Sequence, residues 1–260
     1  MQQGAVRASM FLVIKTKGRT ASAMKNDTDR KGRARSLFFF LATVLVAYLL
    51  LAGYVSKALS QSDLKAIQAL QVDASCHDLS SFSEEVRCVR AVQASIKRLV
   101  PDMNCAENGE TIEPLEFIQR QYGCCFDRAR FTEKALAHYG FTTRHVAIFD
   151  MSDHGVLTLF SPGVASHATS EVYTRKGWMG VDSNEPFILI TVTGQVLNYK
   201  DFKQHSDALE YPVAPANFYR NKLLVVYGLF SRHGMFHGPK LPAPEFNFRE
   251  LLYNVQSREG

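Results

Sequence analysis

Gly123-Cys-Cys-Phe-Asp-Arg-Ala-Arg-Phe-Thr-Glu-Lys-Ala-Leu-Ala-His-Tyr139, closed by Gly140, is the stretch from which the fold is read. Cys125, Ala129, Thr132, Leu136 and Tyr139 recur at helical spacing and form one face. Gly140 suits the left-handed residue that ends a helix. Cys125 therefore falls at a helix N-terminus, where the helix dipole stabilises negative charge and favours a thiolate.

Helices are expected before this stretch and strands after it. Ser81–Val100 has a hydroxyl and acidic start, and Val86, Val89, Val92, Ile96 and Val100 recur on one face. Pro101 ends it. Glu113–Gln121 reads as a shorter helix with Pro114 in its first turn. Beyond Gly140, Phe141–Phe149, Val156–Phe160, Ala168–Tyr173, Trp178–Val181 and Phe187–Val192 are strand-like, and Thr193-Gly194 marks a turn into Gln195–Tyr199. Leu223–Leu229 is an apolar break in a Pro- and Gly-rich region, and Phe246–Val255 reads as a closing helix. Helices followed by antiparallel strands give an α+β fold.

The net charge of +5 is unevenly spread. Residues 1–35 hold nine Lys/Arg and two Asp, whereas the rest of the chain has 21 basic and 23 acidic residues. The body has no basic face, so no nucleic acid partner is expected. Leu37–Val55 is an uncharged run of 19 residues, about one bilayer span. Arg30, Lys31, Arg33 and Arg35 precede it, which by the positive-inside rule puts the N-terminus in the cytoplasm. The expected organisation is a basic cytoplasmic tail (1–36), a transmembrane helix (37–55), a stalk (56–75) and an extracytoplasmic domain (76–260). In a bacterial cell this is a single-pass inner (plasma) membrane protein with a periplasmic domain. A cleaved signal peptide ending near Ala58-Leu59-Ser60 is the competing reading, and Met24 is an alternative start.

All five cysteines follow the apolar run, on a side where disulfides persist. Five is odd, so one thiol stays free or pairs elsewhere. If it is Cys125, then Cys76, Cys88, Cys105 and Cys124 have three possible pairings. Neither C-x-x-C nor H-x-x-x-H spacing occurs, so no metal site is expected.

A cysteine nucleophile needs a base and a group to orient it. His167 opens the strand that runs to Tyr173, and Trp178–Asp182 follows a short loop. If the two strands pair around Arg175-Lys176, Tyr173 faces Trp178, Glu171 faces Gly180 and Thr169 faces Asp182. His167 and Asp182 then become diagonal neighbours on one face. A loop one residue different would separate them. Taken singly, Cys125 is a small buried apolar group, His167 a satisfied strand residue and Asp182 the start of a turn.

Gly123-x-Cys125-x-Asp127-x-Ala129, Gly140 with Arg144, His167-Ala168 before Glu171-Val172, and Gly177-Trp178 before Asp182 together resemble the transglutaminase-like superfamily over about residues 80–200. That resemblance implies a papain-like core, with a Cys-bearing helix packed on an antiparallel sheet that carries His and Asp. It implies Cys125 as nucleophile, His167 as base and Asp182 as orienting acid, in acyl transfer on a protein or peptide amide. Hydrolysis is favoured over cross-linking, and neither calcium nor a cofactor is expected. Relatives carry Trp where this chain has Thr169, a change in the pocket wall. Arg144 and Trp178 are read as packing residues, Glu171 as a neighbour of His167, and His138 and His145 as surface groups or groups behind the site. The alternative function is a non-catalytic binding or scaffold protein of a cell-envelope or surface-polysaccharide assembly. Its Pro- and aromatic-rich 211–218 and 242–246 would dock a partner or cover the cleft.

Overall fold

The structure, a computed structural model, describes residues 33, 35–48, 54–101, 104, 112–161, 163–202, 217–230 and 245–256. It divides into two compact units, Met1–Leu50 and Leu51–Gly260. In the first, residues 35–48 are helical (α1), with Leu37, Phe38, Phe39 and Phe40 exposed. No helix among the described residues is long and apolar enough to cross a membrane. Residues 49–53 of the expected span, and nearly all of the basic tail, lie outside the described residues.

The second unit opens on α2 (Gln61–Ala69), α3 (Asp73–Cys76), α4 (Phe82–Leu99), α5 (Pro114–Arg120) and α6 (Cys125–His138). The strands follow: β1 (Thr142–Asp150), β2 (Ser166–Thr174) and β3 (Gly177–Val181), then the short helix α7 (Asn217–Arg220) and β4 (Leu223–Tyr227). β5 (Leu229–Phe230), β6 (Glu245–Phe246), α8 (Phe248–Leu251) and α9 (Tyr253–Gln256) close the unit. The main sheet has the order β3-β2-β1-β4, and every pairing is antiparallel. The fold is α+β, as expected.

One face of this sheet meets the helices. Val172, Met179 and Val181 pack there with Val89, Val92 and Ile96 of α4 and Phe131, Ala135 and Leu136 of α6. The other face, with Val146 and Ile148, is covered by Leu189, Leu197, Tyr199, Phe202 and Tyr219. α6 is thus central, and ten of its fourteen residues are buried, more than the single face that its apolar spacing indicates.

Local chemistry accounts for the helix ends. Ser81 caps α4 in a reciprocal box with Glu84. At the far end, the buried Arg128 guanidinium donates to the carbonyls of Val100 and Pro101 at 2.7 and 3.1 Å. Gly140 follows α6 with φ +94°, as its position predicts. Gly123 is needed for space, since a Cβ there would lie 2.2 Å from the Phe117 ring.

Four expectations change. Residues 56–75 are not a stalk. Ser60 caps α2, and Ala66, Ile67, Leu70 and Val72 are buried in the main core. Buried Asp63 accepts from Lys134 Nζ of α6 at 2.8 and 2.9 Å. Tyr54 and Val55, expected to end the membrane run, belong to the folded unit. Tyr54 bridges Phe246 and stacks on Phe248, and Val55 is buried in a cluster with Phe126, Ala168 and Phe230. Val156–Phe160 is a 3-10 helix rather than a strand, because Val156, Leu157 and Phe160 find no partner and stay exposed. Phe187–Val192 and Gln195–Tyr199 make isolated bridges and single backbone bonds around Gly194 instead of a regular ladder.

Cys76 and Cys88 form a disulfide. Cys124 is also disulfide-bonded, Cys105 lies outside the described residues, and Cys125 is a free thiol.

Candidate active site

β2 and β3 pair as the loop length requires, with Tyr173 opposite Trp178, Glu171 opposite Gly180 and Ser170 opposite Val181. Gly180 is small because a Cβ would meet Leu189 at 2.5 Å and Tyr199 at 2.8 Å. Carried past β3, this register sets Asp182 near His167, and His167 Nε2 lies 3.1 Å from Asp182 Oδ2.

Cys125 is the first residue of α6. The carboxylate of Asp127 accepts the Cys124 N–H at 2.8 Å and the Ile112 N–H at 3.2 Å, which ties the helix start to the preceding chain. Cys125 Sγ accepts from the Ala168 N–H at 3.4 Å, which sets the thiol beside the residue that follows His167. The three residues singled out in the sequence therefore meet where β2 begins and β3 ends. Cys125 and His167 are half-buried and Asp182 is fully buried.

Their protonation follows from these contacts. Burial pushes the Cys125 thiol up, but the His167 ring and the N–H groups of Ala168 and Phe126 outweigh it, so its pKa is lowered. Burial pushes His167 down, yet Asp182 and the Cys125 sulfur raise it to about 10. Burial raises Asp182, but His167, Tyr219 and the backbone hold it below the usual carboxylate range. The site is arranged for a thiolate beside an imidazolium.

Asp182 is held from several sides. Its Oδ1 accepts the N–H groups of Asn184 and Glu185, both at 2.7 Å, and Tyr219 Oη donates to Oδ2. The Gln93 amide of α4 lies 2.8–3.0 Å from the carbonyl oxygens of Asp182, Glu185 and Phe187. Ser183 Oγ donates to the Ala168 carbonyl at 2.6 Å. Phe218 and Tyr219 stand edge-on to the His167 ring, with centroids 6.1 and 6.0 Å away. Gln93 and Tyr219 carry no signal in the sequence. One lies mid-helix, and the other follows a Pro-rich stretch. Residues 211–216 and 242–244, expected to dock a partner or cover the cleft, lie outside the described residues.

Arg144, read as packing, is buried. Its Nε lies 2.7 Å from Glu171 Oε2, and its guanidinium is 4.0 Å from the Trp178 ring and 3.8 Å from the Tyr227 ring. Glu171 thus supports the sheet rather than the thiol. His145 is buried, with Nδ1 2.8 Å from Glu133 Oε1. His138 ends α6. Thr169 Oγ1 donates to the Val181 carbonyl at 2.6 Å and pairs with Tyr199 Oη at 2.9 Å. No group of three or more metal-ligating side chains occurs among the described residues.

No protein-family model matches the chain, and no curated protein matches it. Among solved structures, it is similar to Rad4-Rad23 bound to a 6-4 photoproduct UV lesion, at 12% identity over 77% of this chain and 47% of that one, with TM-score 0.39. It is similar to a Rad4/XPC nucleotide excision repair complex at 11% identity over 77% and 48%, TM-score 0.38. It is similar to a TGase at 15% identity over 58% and 39%, TM-score 0.33. The chain spans less than half the length of each of these. At such scores the likenesses carry no argument about family or activity.

Proposed function

We propose that this chain is a transglutaminase-like thiol enzyme that performs acyl transfer on a protein or peptide amide through Cys125, His167 and Asp182, and that water resolves its thioester. The observation that carries the reading is the one free thiol among the described cysteines, at a helix N-terminus, accepting the N–H of Ala168, next in the chain to a His that a buried Asp holds. With Nε2 taken by Asp182, Nδ1 is the nitrogen left to exchange a proton with the thiol. The Cys125 thiolate attacks the amide carbonyl carbon, and the Cys125 backbone N–H at the start of α6 faces the developing oxyanion. The tetrahedral adduct collapses by breaking the C–N bond, and His167 gives its proton to the leaving amine. Water then attacks the thioester with His167 as base, releasing a carboxylic acid and restoring the pair.

The test is thiol alkylation of the full chain at pH 5, read by peptide mapping. An ordinary thiol is roughly 0.03% thiolate at that pH. Even with the lower nucleophilicity of a low-pKa thiolate, Cys125 is expected to react on the order of 10²-fold faster than glutathione. The advantage should vanish in His167→Ala, and the labelled peptide in Cys125→Ala. Labelling of wild type no faster than glutathione overturns the reading.

The same proposal includes the run 37–53 as a membrane anchor, with residues 54–260 outside the cytoplasm, in keeping with a disulfide at Cys76–Cys88. A C-terminal reporter that works only outside the cytoplasm is expected to be active, and a silent fusion with an active cytoplasmic counterpart would reverse the orientation.

A further inference from the structure

We propose that Tyr219 is a positioning residue of this site: its hydroxyl, backed by Tyr199 and Thr169, holds the Asp182 carboxylate so that the His167 ring faces Cys125. The inference rests on the thiol-enzyme reading above. Each oxygen of Asp182 takes two donors: Asn184 and Glu185 N–H on one, His167 Nε2 and Tyr219 Oη on the other. A carboxylate bound in this way cannot turn about its Cβ–Cγ bond without losing hydrogen bonds in a buried setting, where each is costly to leave unmade. Tyr219 also walls the imidazole, with its ring at 88° to the His167 plane. Burial, with Asp182 and Tyr199 alongside, raises the Tyr219 phenol well above its ordinary range, so it remains a donor at working pH.

Tyr219 is itself braced. Tyr199 stacks on it, with centroids 6.3 Å apart and planes 17° from parallel. The Tyr199 hydroxyl pairs with Thr169, and its N–H donates to Glu171 Oε1 at 2.7 Å. A chain of contacts therefore runs from Thr169 of β2 through two stacked tyrosines to the acid. A tyrosine serving only to fill the core would not need its hydroxyl, and phenylalanine would fit the same space.

The experiment is the pH profile of Cys125 alkylation in the full chain, comparing wild type, Tyr219→Phe and Tyr227→Phe. Tyr227 is a buried control whose hydroxyl faces Glu171, not Asp182. If Tyr219 positions the acid, Tyr219→Phe loosens the Asp182–His167 pair, the imidazolium loses support, and the acid limb moves up by about one pH unit. That is roughly a tenfold loss of labelling at pH 5, with melting temperatures alike in the two variants. If Tyr219 merely damps the Asp182 charge, its removal strengthens the field on His167 and the limb moves down, which overturns the proposal. So does a profile unchanged from wild type, or one shifted equally in Tyr227→Phe. A wild-type limb in the ordinary thiol range overturns the site reading, and this proposal with it.

Discussion

Asp182→Asn should collapse the reactivity of Cys125 while leaving the chain folded. The argument is donor counting. Asp182 accepts from two backbone N–H groups, the His167 ring and the Tyr219 hydroxyl. A carboxamide has one acceptor oxygen and one NH₂ donor. If its oxygen stays with Asn184 and Glu185, the NH₂ faces His167 Nε2 and Tyr219 Oη. His167 must then take the tautomer with Nε2 unprotonated, which puts the proton on Nδ1 beside the sulfur and removes a base from the thiol. The negative charge that raises His167 to about 10 is also gone. At pH 7 an ordinary thiol is only a few per cent thiolate, so alkylation at Cys125 should fall by up to about 30-fold at that pH and by on the order of 10² at pH 5. Turnover, once a substrate is found, should fall further, by roughly 10²–10⁴. The sign with pH is fixed by the two shifts. The ion pair exists between the lowered Cys125 pKa and about 10, so the wild-type advantage grows as pH falls toward the Cys125 value. Second-order alkylation rates from pH 4.5 to 9, with circular dichroism as the folding control, test this. An Asn variant that reacts like wild type at pH 5 would show that the charge of Asp182 is not needed.

The site was largely legible because its parts depend on short-range rules. Helix periodicity and Gly140 placed Cys125 at a helix start, and strand alternation with a two-residue loop paired His167 with Asp182. Both depend on sequence distances of under twenty residues. What stayed hidden depends on long-range packing. Gln93 reaches Asp182 across 89 positions and Tyr219 reaches it across 37, and neither spacing has a period to read. The expected stalk failed for a related reason. Residues 56–75 look polar and weakly amphipathic, yet Asp63 is buried because Lys134 of α6 meets it, and one segment read alone cannot reveal such a partner. The 3-10 helix at 155–160 shows the converse error, since β-type residues make a strand only where a neighbouring edge is free to pair.

Arg144→Ala is expected to be the most destabilising single change in the sheet. Arg144 and Glu171 are cross-strand partners on β1 and β2, and both side chains are buried. The guanidinium also lies between the Trp178 and Tyr227 rings, with Tyr253 4.8 Å away, so truncation removes packing as well as charge. Glu171 would keep only the Tyr199 N–H and the more distant Tyr227 hydroxyl as hydrogen-bond partners. Removing one member of a buried pair costs about 3–5 kcal/mol, a fall in Tm on the order of 10 °C for a domain of this size. Arg144→Lys should recover only part of it, because an ammonium neither stacks on the rings nor matches the carboxylate with a planar fork. A pH signature separates the lost charge from the lost packing. Burial already raises the Glu171 pKa despite Arg144, and without Arg144 it should rise further. A group whose folded pKa exceeds its unfolded value favours the folded state below the unfolded pKa, and that contribution is lost as pH rises through the folded pKa. The Tm gap between wild type and Arg144→Ala should therefore narrow as pH is lowered from 8 to 5. A gap that stays constant over that range would assign the loss to the missing aromatic contacts instead of the uncompensated Glu171 carboxylate.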